Sequence, residues 1–226
     1  MSLDSEYYRA YDVRYRQVHE KQLRWFSDAP SPIVDKMLKK YGIGCEREIL
    51  EIGCGEGRDA AYLLKNGYRV TATDISDEAI RFCREKDPAH AHQYAVLDVI
   101  HGRFDRTFDF VYAIAVLHML ILDVDRKKFL EGIGAHLKTE GYALIMSMGD
   151  GEEEWQSDLH RAFDNQKRVH EQSGTELNIA STSCRVVSMA HFLSELAAAR
   201  FSIVESGMTA IEPDFPVCMY AVVKKC

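Results

Sequence analysis

The segment Glu48-Ile49-Leu50-Glu51-Ile52-Gly53-Cys54-Gly55-Glu56-Gly57-Arg58 constrains this chain more than any other. A short apolar run stops at three glycines spaced G-x-G-x-G, and a helical pattern opens directly behind them. Gly53 permits a tight turn, and Gly55 lets a ligand reach the backbone with no Cβ in the way. Gly57 allows the next helix, Asp59 to Asn66, to start close to the strand. Strand, glycine loop and helix in that order open a nucleotide-binding α/β unit.

The alternation continues. Tyr68 to Thr73 is strand-like and stops at Asp74, and Ser76 is placed to cap a helix running to about Lys86. Gln93 to Leu97 reads as a third strand, ending at Asp98. Phe108 to Ala115 is continuously apolar in its second half, as expected for a strand covered on both faces. Val124 to Leu137 places Phe129, Leu130, Ile133 and Leu137 at helical spacing, and Tyr142 to Met148 reads as a fifth strand. This order predicts an α/β fold: a Rossmann-like, mostly parallel sheet with helices on both faces. Met189, Phe192, Leu193 and Leu196 mark a later helix, and Phe201 to Val204 and Cys218 to Val223 two closing strands. One domain is expected, with residues 1–47 as an N-terminal helical lid, 48–148 as the core, 149–187 as a polar insertion that serves as a second lid, and 188–226 as the closing elements. Within the lid, a Tyr-rich helix is expected over roughly 5–24, and a second starts at Ser31-Pro32, a cap followed by proline.

Which nucleotide derivative suits the loop follows from two residues. A dinucleotide fingerprint needs Gly or Ala at the sixth position counted from Gly53, and Arg58 stands there. Glu51, two residues before the first glycine, would repel a pyrophosphate and welcome an ammonium group. S-adenosylmethionine carries adenosine, an ammonium and no phosphate. Asp74, ending the next strand, can accept both hydroxyl protons of a ribose.

Composition narrows the partners. The 226 residues are 46% hydrophobic and 28% charged, ordinary for a globular chain. No apolar run approaches the roughly 18 residues that would cross a bilayer. The net charge of −7 argues against a nucleic-acid backbone as partner. The polar, acidic N-terminus is unlike a signal peptide. The six cysteines show no C-x-x-C spacing and the nine histidines no H-x-x-x-H spacing, so no metal is expected. Reduced thiols in a cytoplasmic protein are the plain expectation.

Glu51-Ile-Gly-Cys-Gly-Glu-Gly57, Asp74, Leu97-Asp98-Val99 and Phe108-Asp-Phe-Val-Tyr-Ala-Ile-Ala-Val-Leu-His118 resemble the successive motifs of class I S-adenosylmethionine-dependent methyltransferases. Tyr11-Asp12-Val13-Arg14-Tyr15, Trp25-Phe26-Ser27-Asp28-Ala29-Pro30-Ser31-Pro32, Gly57-Arg58-Asp59 and Asn66-Gly67-Tyr68-x-Val70 look like segments of the thiopurine and tellurite-resistance methyltransferase group. The resemblance implies seven strands with the last antiparallel. It also implies that Gly53, Cys54 and Gly55 line the methionine and ribose, that Asp74 holds the ribose, and that Ile75 packs on adenine. Asp98 and Val99 would meet the adenine edge, and Ala113 and Ile114 the methionine moiety. Tyr15 and Trp25 would close over the cofactor. Glu51 and Arg58 complete the expected cofactor set. Lys138-Thr139-Glu140-Gly141 departs from the family's usual Pro-Gly-Gly turn, which touches the start of a strand rather than the site.

The acceptor side is less defined. Tyr7, Tyr11 and Tyr15 share a helix face, which favours packing for the stripe as a whole. Tyr11, His118 and Trp155 are the candidate substrate residues; His118 divides evenly between proton transfer and packing, and Glu152-Glu153-Glu154-Trp155 reads first as a solvated run. No catalytic residue is assigned. The motif that serves nucleobase amino groups is missing after the fourth strand, where Ala113-Ile114-Ala115-Val116 stands. The expectation is therefore methyl transfer to a heteroatom of a small molecule. A non-catalytic S-adenosylmethionine-binding module is the alternative, and a nicotinamide oxidoreductase a weaker one.

Overall fold

The computed structural model describes residues 6–170 and 173–226, and the N-terminal residues 1–5 of the sequence reading lie outside them. After a 3-10 turn at Tyr7–Arg9, α1 spans Ala10–His19 and α2 Pro32–Lys40. The core then runs β1 (Glu48–Ile52), α3 (Arg58–Lys65), β2 (Arg69–Asp74), α4 (Asp77–Lys86), β3 (Tyr94–Val96), β4 (Phe108–Ile114), α5 (Asp123–His136) and β5 (Leu137–Met148). Residues 149–187 hold the short strands β6 (Trp155–Gln156), β7 (Asn165–Val169), β8 (Glu176–Ala180) and β9 (Arg185–Val186). The chain closes with α6 (Met189–Ala198), β10 (Phe201–Ile211) and β11 (Phe215–Lys225).

The main sheet has seven strands in the order β10-β11-β5-β4-β1-β2-β3. The pairs within β1 to β5 are parallel, while β11 runs antiparallel to both β5 and β10. Reversal of strand order falls between β1 and β4, so their carboxyl ends face a crevice, the usual ligand position in such sheets. Apolar side chains cover both faces. Leu50, Ile52, Val111, Ala113 and Ile145 pack toward α5 and α6, and Ile49, Phe110, Tyr112, Leu144 and Met146 toward α2 and α3. Alternation of side chains along each strand produces this division.

Two expectations are corrected in detail. Ser31 occupies the position before α2 but does not cap it. Its amide and hydroxyl instead donate to the two oxygens of Asp59, at 2.5 and 2.7 Å. The insertion, which shows little periodicity in sequence, forms two separate two-stranded sheets, β6 with β9 and β7 with β8. The second is a hairpin whose outward face is polar; Leu177 and Ile179 turn inward onto Val18, Leu23 and Trp25. Among the described residues no helix is long and apolar enough to cross a membrane.

Candidate active site

At the carboxyl ends of β1, β2 and β4 lies an open cavity of about 970 Å³, counting the space at its mouth that is open to solvent. Its floor is the glycine loop. Gly53, Gly55 and Gly57 all adopt positive φ, at 77°, 52° and 78°. Four of the loop's amides are spent inside the protein. Those of Gly53 and Cys54 both donate to the Thr73 carbonyl, at 2.7 and 2.8 Å, and Gly57 donates to Cys54. The Gly55 amide donates to Asp74 Oδ2 at 2.8 Å, and the Ser76 amide to Asp74 Oδ1 at 2.8 Å. The amides of Gly53, Cys54, Gly55 and Gly57 are therefore taken up, whereas a phosphate cradle needs free amides.

Glu51 sits beside this floor, 3% exposed, and its Oε2 has no hydrogen-bond partner. A buried carboxylate oxygen without a partner is costly and calls for a donor from a ligand. Burial, with the charge of Asp59 adding to it, raises its pKa well above the usual carboxylate range. The other acids of the cavity are already engaged. Asp59 holds Ser31, and Asp98 takes Ile100 N, Arg9 and His101.

Thirteen expected cofactor residues distribute unevenly. Tyr15, Glu51, Gly53, Cys54, Gly55, Arg58, Asp74, Ile75, Asp98, Val99 and Ile114 all line the cavity. Tyr15 Oη lies only 2.6 Å from where a Cβ on Gly55 would stand. Arg58 lies beside the packed rings of Phe26 and Phe215, 5.8 Å from each, and is paired with Asp214 at 2.8 Å. Trp25 and Ala113 lie outside the cavity lining. Trp25 places its ring under the Arg14 guanidinium, 4.8 Å away, and contributes only its amide to the site, through Glu56 at 2.8 Å. Ala113 is fully buried and points to the α5 face of the sheet, opposite its neighbour Ile114.

Of the expected substrate residues, Tyr11 lines the cavity and donates to the Ser183 carbonyl at 2.8 Å. His118 and Trp155 do not line it. His118 is buried below the post-β4 turn, its ring centroid 6.1 Å from that of Phe215 and its Nδ1 unpartnered. Burial, then Arg126, lowers its pKa to about 4, so it stays neutral. Trp155 is 47% exposed on β6. No described residue of the insertion lines the cavity, so it is not the expected second lid; it braces the N-terminal segment from outside, through Arg14 Nε and Nη2 on the Ala180 carbonyl at 3.0 and 2.9 Å.

Sequence reasoning missed Glu56, Phe26, Val116 and Phe215 as lining groups. Glu56 is the most informative. Its Oε1 accepts from Trp25 N at 2.8 Å and its Oε2 from Phe26 N at 3.0 Å. Those partners are backbone amides some thirty residues away, which no side-chain motif reports. The N-terminal segment thus lies across the cavity mouth, anchored on the glycine loop.

Residues 50–145 match the family model described as a methyltransferase domain. This segment is a class I S-adenosylmethionine-dependent methyltransferase domain. It lies near the tellurite-resistance group: the probable S-adenosyl-L-methionine-dependent methyltransferase TehB of Haemophilus influenzae is 28% identical over 103 residues, 44% of this chain and 35% of that protein. A protein named hemagglutinin 1 from Eikenella corrodens is 32% identical over 107 residues, 45% of this chain and 34% of its own length. The chain thus spans about a third of the length of these curated relatives. The methyltransferase fold extends over nearly the whole chain. A solved 1,6-didemethyltoxoflavin-N1-methyltransferase from Burkholderia thailandensis, 20% identical, superposes with a TM-score of 0.70 over 100% of this chain and 91% of that one. An S-adenosylmethionine-dependent methyltransferase from Clostridium acetobutylicum, 15% identical, does so with 0.67 over 96% and 98%.

Proposed function

We propose that the protein transfers a methyl group from S-adenosylmethionine to a heteroatom of a small-molecule acceptor. The observation that carries this reading is the unpartnered Glu51 carboxylate oxygen beside a glycine loop whose three glycine amides and Cys54 amide are already engaged. Such a floor suits a cationic, phosphate-free nucleoside and disfavours a diphosphate. Glu51 would hold the ammonium. Asp74 already takes one amide on each oxygen and keeps a further lone pair on each for ribose hydroxyls. Asp98 Oδ1, which takes the Ile100 amide, would accept from the adenine amino group.

The bound cofactor supplies an electrophilic methyl on a sulfonium. The chain's own part is to orient the acceptor and keep water out. Ile52, Val116, Leu120 and Phe129 give the cavity a largely apolar wall, and Phe26 and Phe215 a ring-lined end. Dispersal of charge in the transition state favours such a dry enclosure. Neither the Cys54 thiol nor the Tyr15 hydroxyl is suited to remove a proton. Burial holds the Cys54 thiol and the Tyr15 hydroxyl protonated, Cys54 first through its contact with Cys83. An acceptor that presents a lone pair of its own, held near 3–3.5 Å from the methyl, needs no such base.

Thermal-shift measurements with S-adenosylhomocysteine and, separately, NADH test the reading. Stabilisation by the first is expected; stabilisation by NADH alone refutes it. Asp74→Ala is expected to weaken S-adenosylhomocysteine binding by about 1–3 kcal/mol, since a charged acceptor and the anchor of the Gly55 amide go together. Calorimetric titration giving the native affinity would remove Asp74 from the site.

A further inference from the structure

The segment that crosses the cavity mouth carries Tyr11, Tyr15, Arg24 and Phe26, all of which line the cavity. Besides the Trp25 and Phe26 amides on Glu56 and Arg14 on Ala180, a histidine fastens it. His19, the last residue of α1, directs Nε2 at Glu56 Oε1, 2.9 Å away, and Nδ1 at Glu78 Oε1, 2.7 Å away. Its ring stacks on Phe82 at 4.3 Å, with an interplanar angle of 20°. All three polar side chains are withdrawn from water, with exposures of 5% for His19, 1% for Glu56 and 11% for Glu78. Carboxylates only accept hydrogen bonds, and a neutral imidazole has one donor. Only the imidazolium satisfies both contacts at once.

The geometry points to His19 as a positioning residue that works as an imidazolium: its proton latches the N-terminal segment between the glycine loop and α4, and its loss loosens that segment at the cavity mouth, where the remaining anchors hold it less tightly. The same Glu56 that receives His19 also receives the Trp25 and Phe26 amides, so the latch and the cavity wall share one carboxylate. The surrounding charges sharpen the arrangement. From α4, Arg81 pairs with Glu78 and Lys86 lies over the Phe82 ring. From α1, Asp12 receives the Glu78 amide, and Tyr15 lies 5.9 Å from His19 between ring centroids. Arg24 approaches Glu56 from the loop after α1. Burial alone would lower the pKa of His19, but its hydrogen bonds to Glu56 and Glu78 and their charges outweigh that and leave it raised above 6.5. A raised value means the latch is complete below 6.5 and is lost as pH climbs through the raised value.

For cofactor retention the inference rests on the methyltransferase reading; for the latch itself it does not. Two measurements keep them apart. Histidine ring NMR of the unliganded native protein should show His19 doubly protonated at pH 7. Hydrogen-exchange protection of the Trp25 and Phe26 amides, corrected for intrinsic rates, should fall at least tenfold across His19's titration. S-adenosylhomocysteine affinity should fall over the same alkaline range, whereas Glu51, Asp59 and Asp74 shape the acid side. Glu78→Gln removes one charge and should move the alkaline midpoint to lower pH; His19→Gln should abolish the alkaline step and lower protection at every pH. A neutral His19 at pH 7, or amide protection that ignores its titration, overturns the latch, and Glu78→Gln decides the matter should His19→Gln not fold. Pronounced latching without S-adenosylhomocysteine binding at any pH overturns the functional reading alone.

Discussion

Gly55→Val is expected to abolish S-adenosylhomocysteine binding, with calorimetric heats reduced to those of dilution. Two independent effects act together. Gly55 has φ of +52°, a conformation that a β-branched residue adopts only with strain. Its first added atom would also stand 2.6 Å from Tyr15 Oη, so the side chain meets the cavity wall on arrival. Relief by backing the loop away would disturb the Gly55 amide on Asp74, and relief by moving Tyr15 would push α1 off the cavity mouth. Circular dichroism should still show a folded α/β protein, because the sheet below does not depend on this side chain. Retention of native affinity would mean that the ligand binds elsewhere.

The second large effect is on stability. Arg126 lies on α5 with 1% exposure and makes a two-point pair with Glu195 of α6, at 2.5 and 2.6 Å. Its remaining amine donates to the carbonyls of Leu117 and Leu120, which close the turn after β4. Arg126→Met fills much of the same volume but strands a carboxylate and two carbonyls. Removing one partner of such a buried pair costs about 3–5 kcal/mol. Urea unfolding should report a loss of that order, and Arg126→Met/Glu195→Leu should recover part of it. A change under about 1 kcal/mol would show that water takes over these groups. Since Met119 and Leu120 line the cavity, a weakened turn should also loosen ligand binding.

The sequence made some levels of this structure legible and hid others for physical reasons. β4 announces itself because a strand covered on both faces is continuously apolar from Phe110 on, β2 by its β-branched run, and Gly53, Gly55 and Gly57 because few other residues tolerate their backbone angles. The closing strands were placed correctly but too short: β10 and β11 reach Ile211 and start at Phe215, and β10 carries mostly exposed or half-exposed residues that interrupt any apolar run. β7 and β8 escaped notice because nearly all of β7 is exposed, leaving only Leu177 and Ile179 as apolar contacts. Trp25 illustrates a different limit. Its neighbourhood pointed to the cavity, yet an aromatic ring beside a buried guanidinium gains more from Arg14 than from the ligand space. Arg126 reads in sequence as one more charge on a helix, and only its long-range partner Glu195 explains its burial.

Glu51 leaves a trace that a calorimeter can follow. Held in an apolar wall with one oxygen unanswered, it keeps its proton to a higher pH than an ordinary carboxylate. A cation arriving beside it favours the ionised form, so between the two affinities for hydrogen ion one positive charge departs as another enters. The chamber then behaves as an ion exchanger. Binding should tighten with rising pH across that window, and the heat measured in Tris should differ from that in phosphate by the buffers' own enthalpies of protonation.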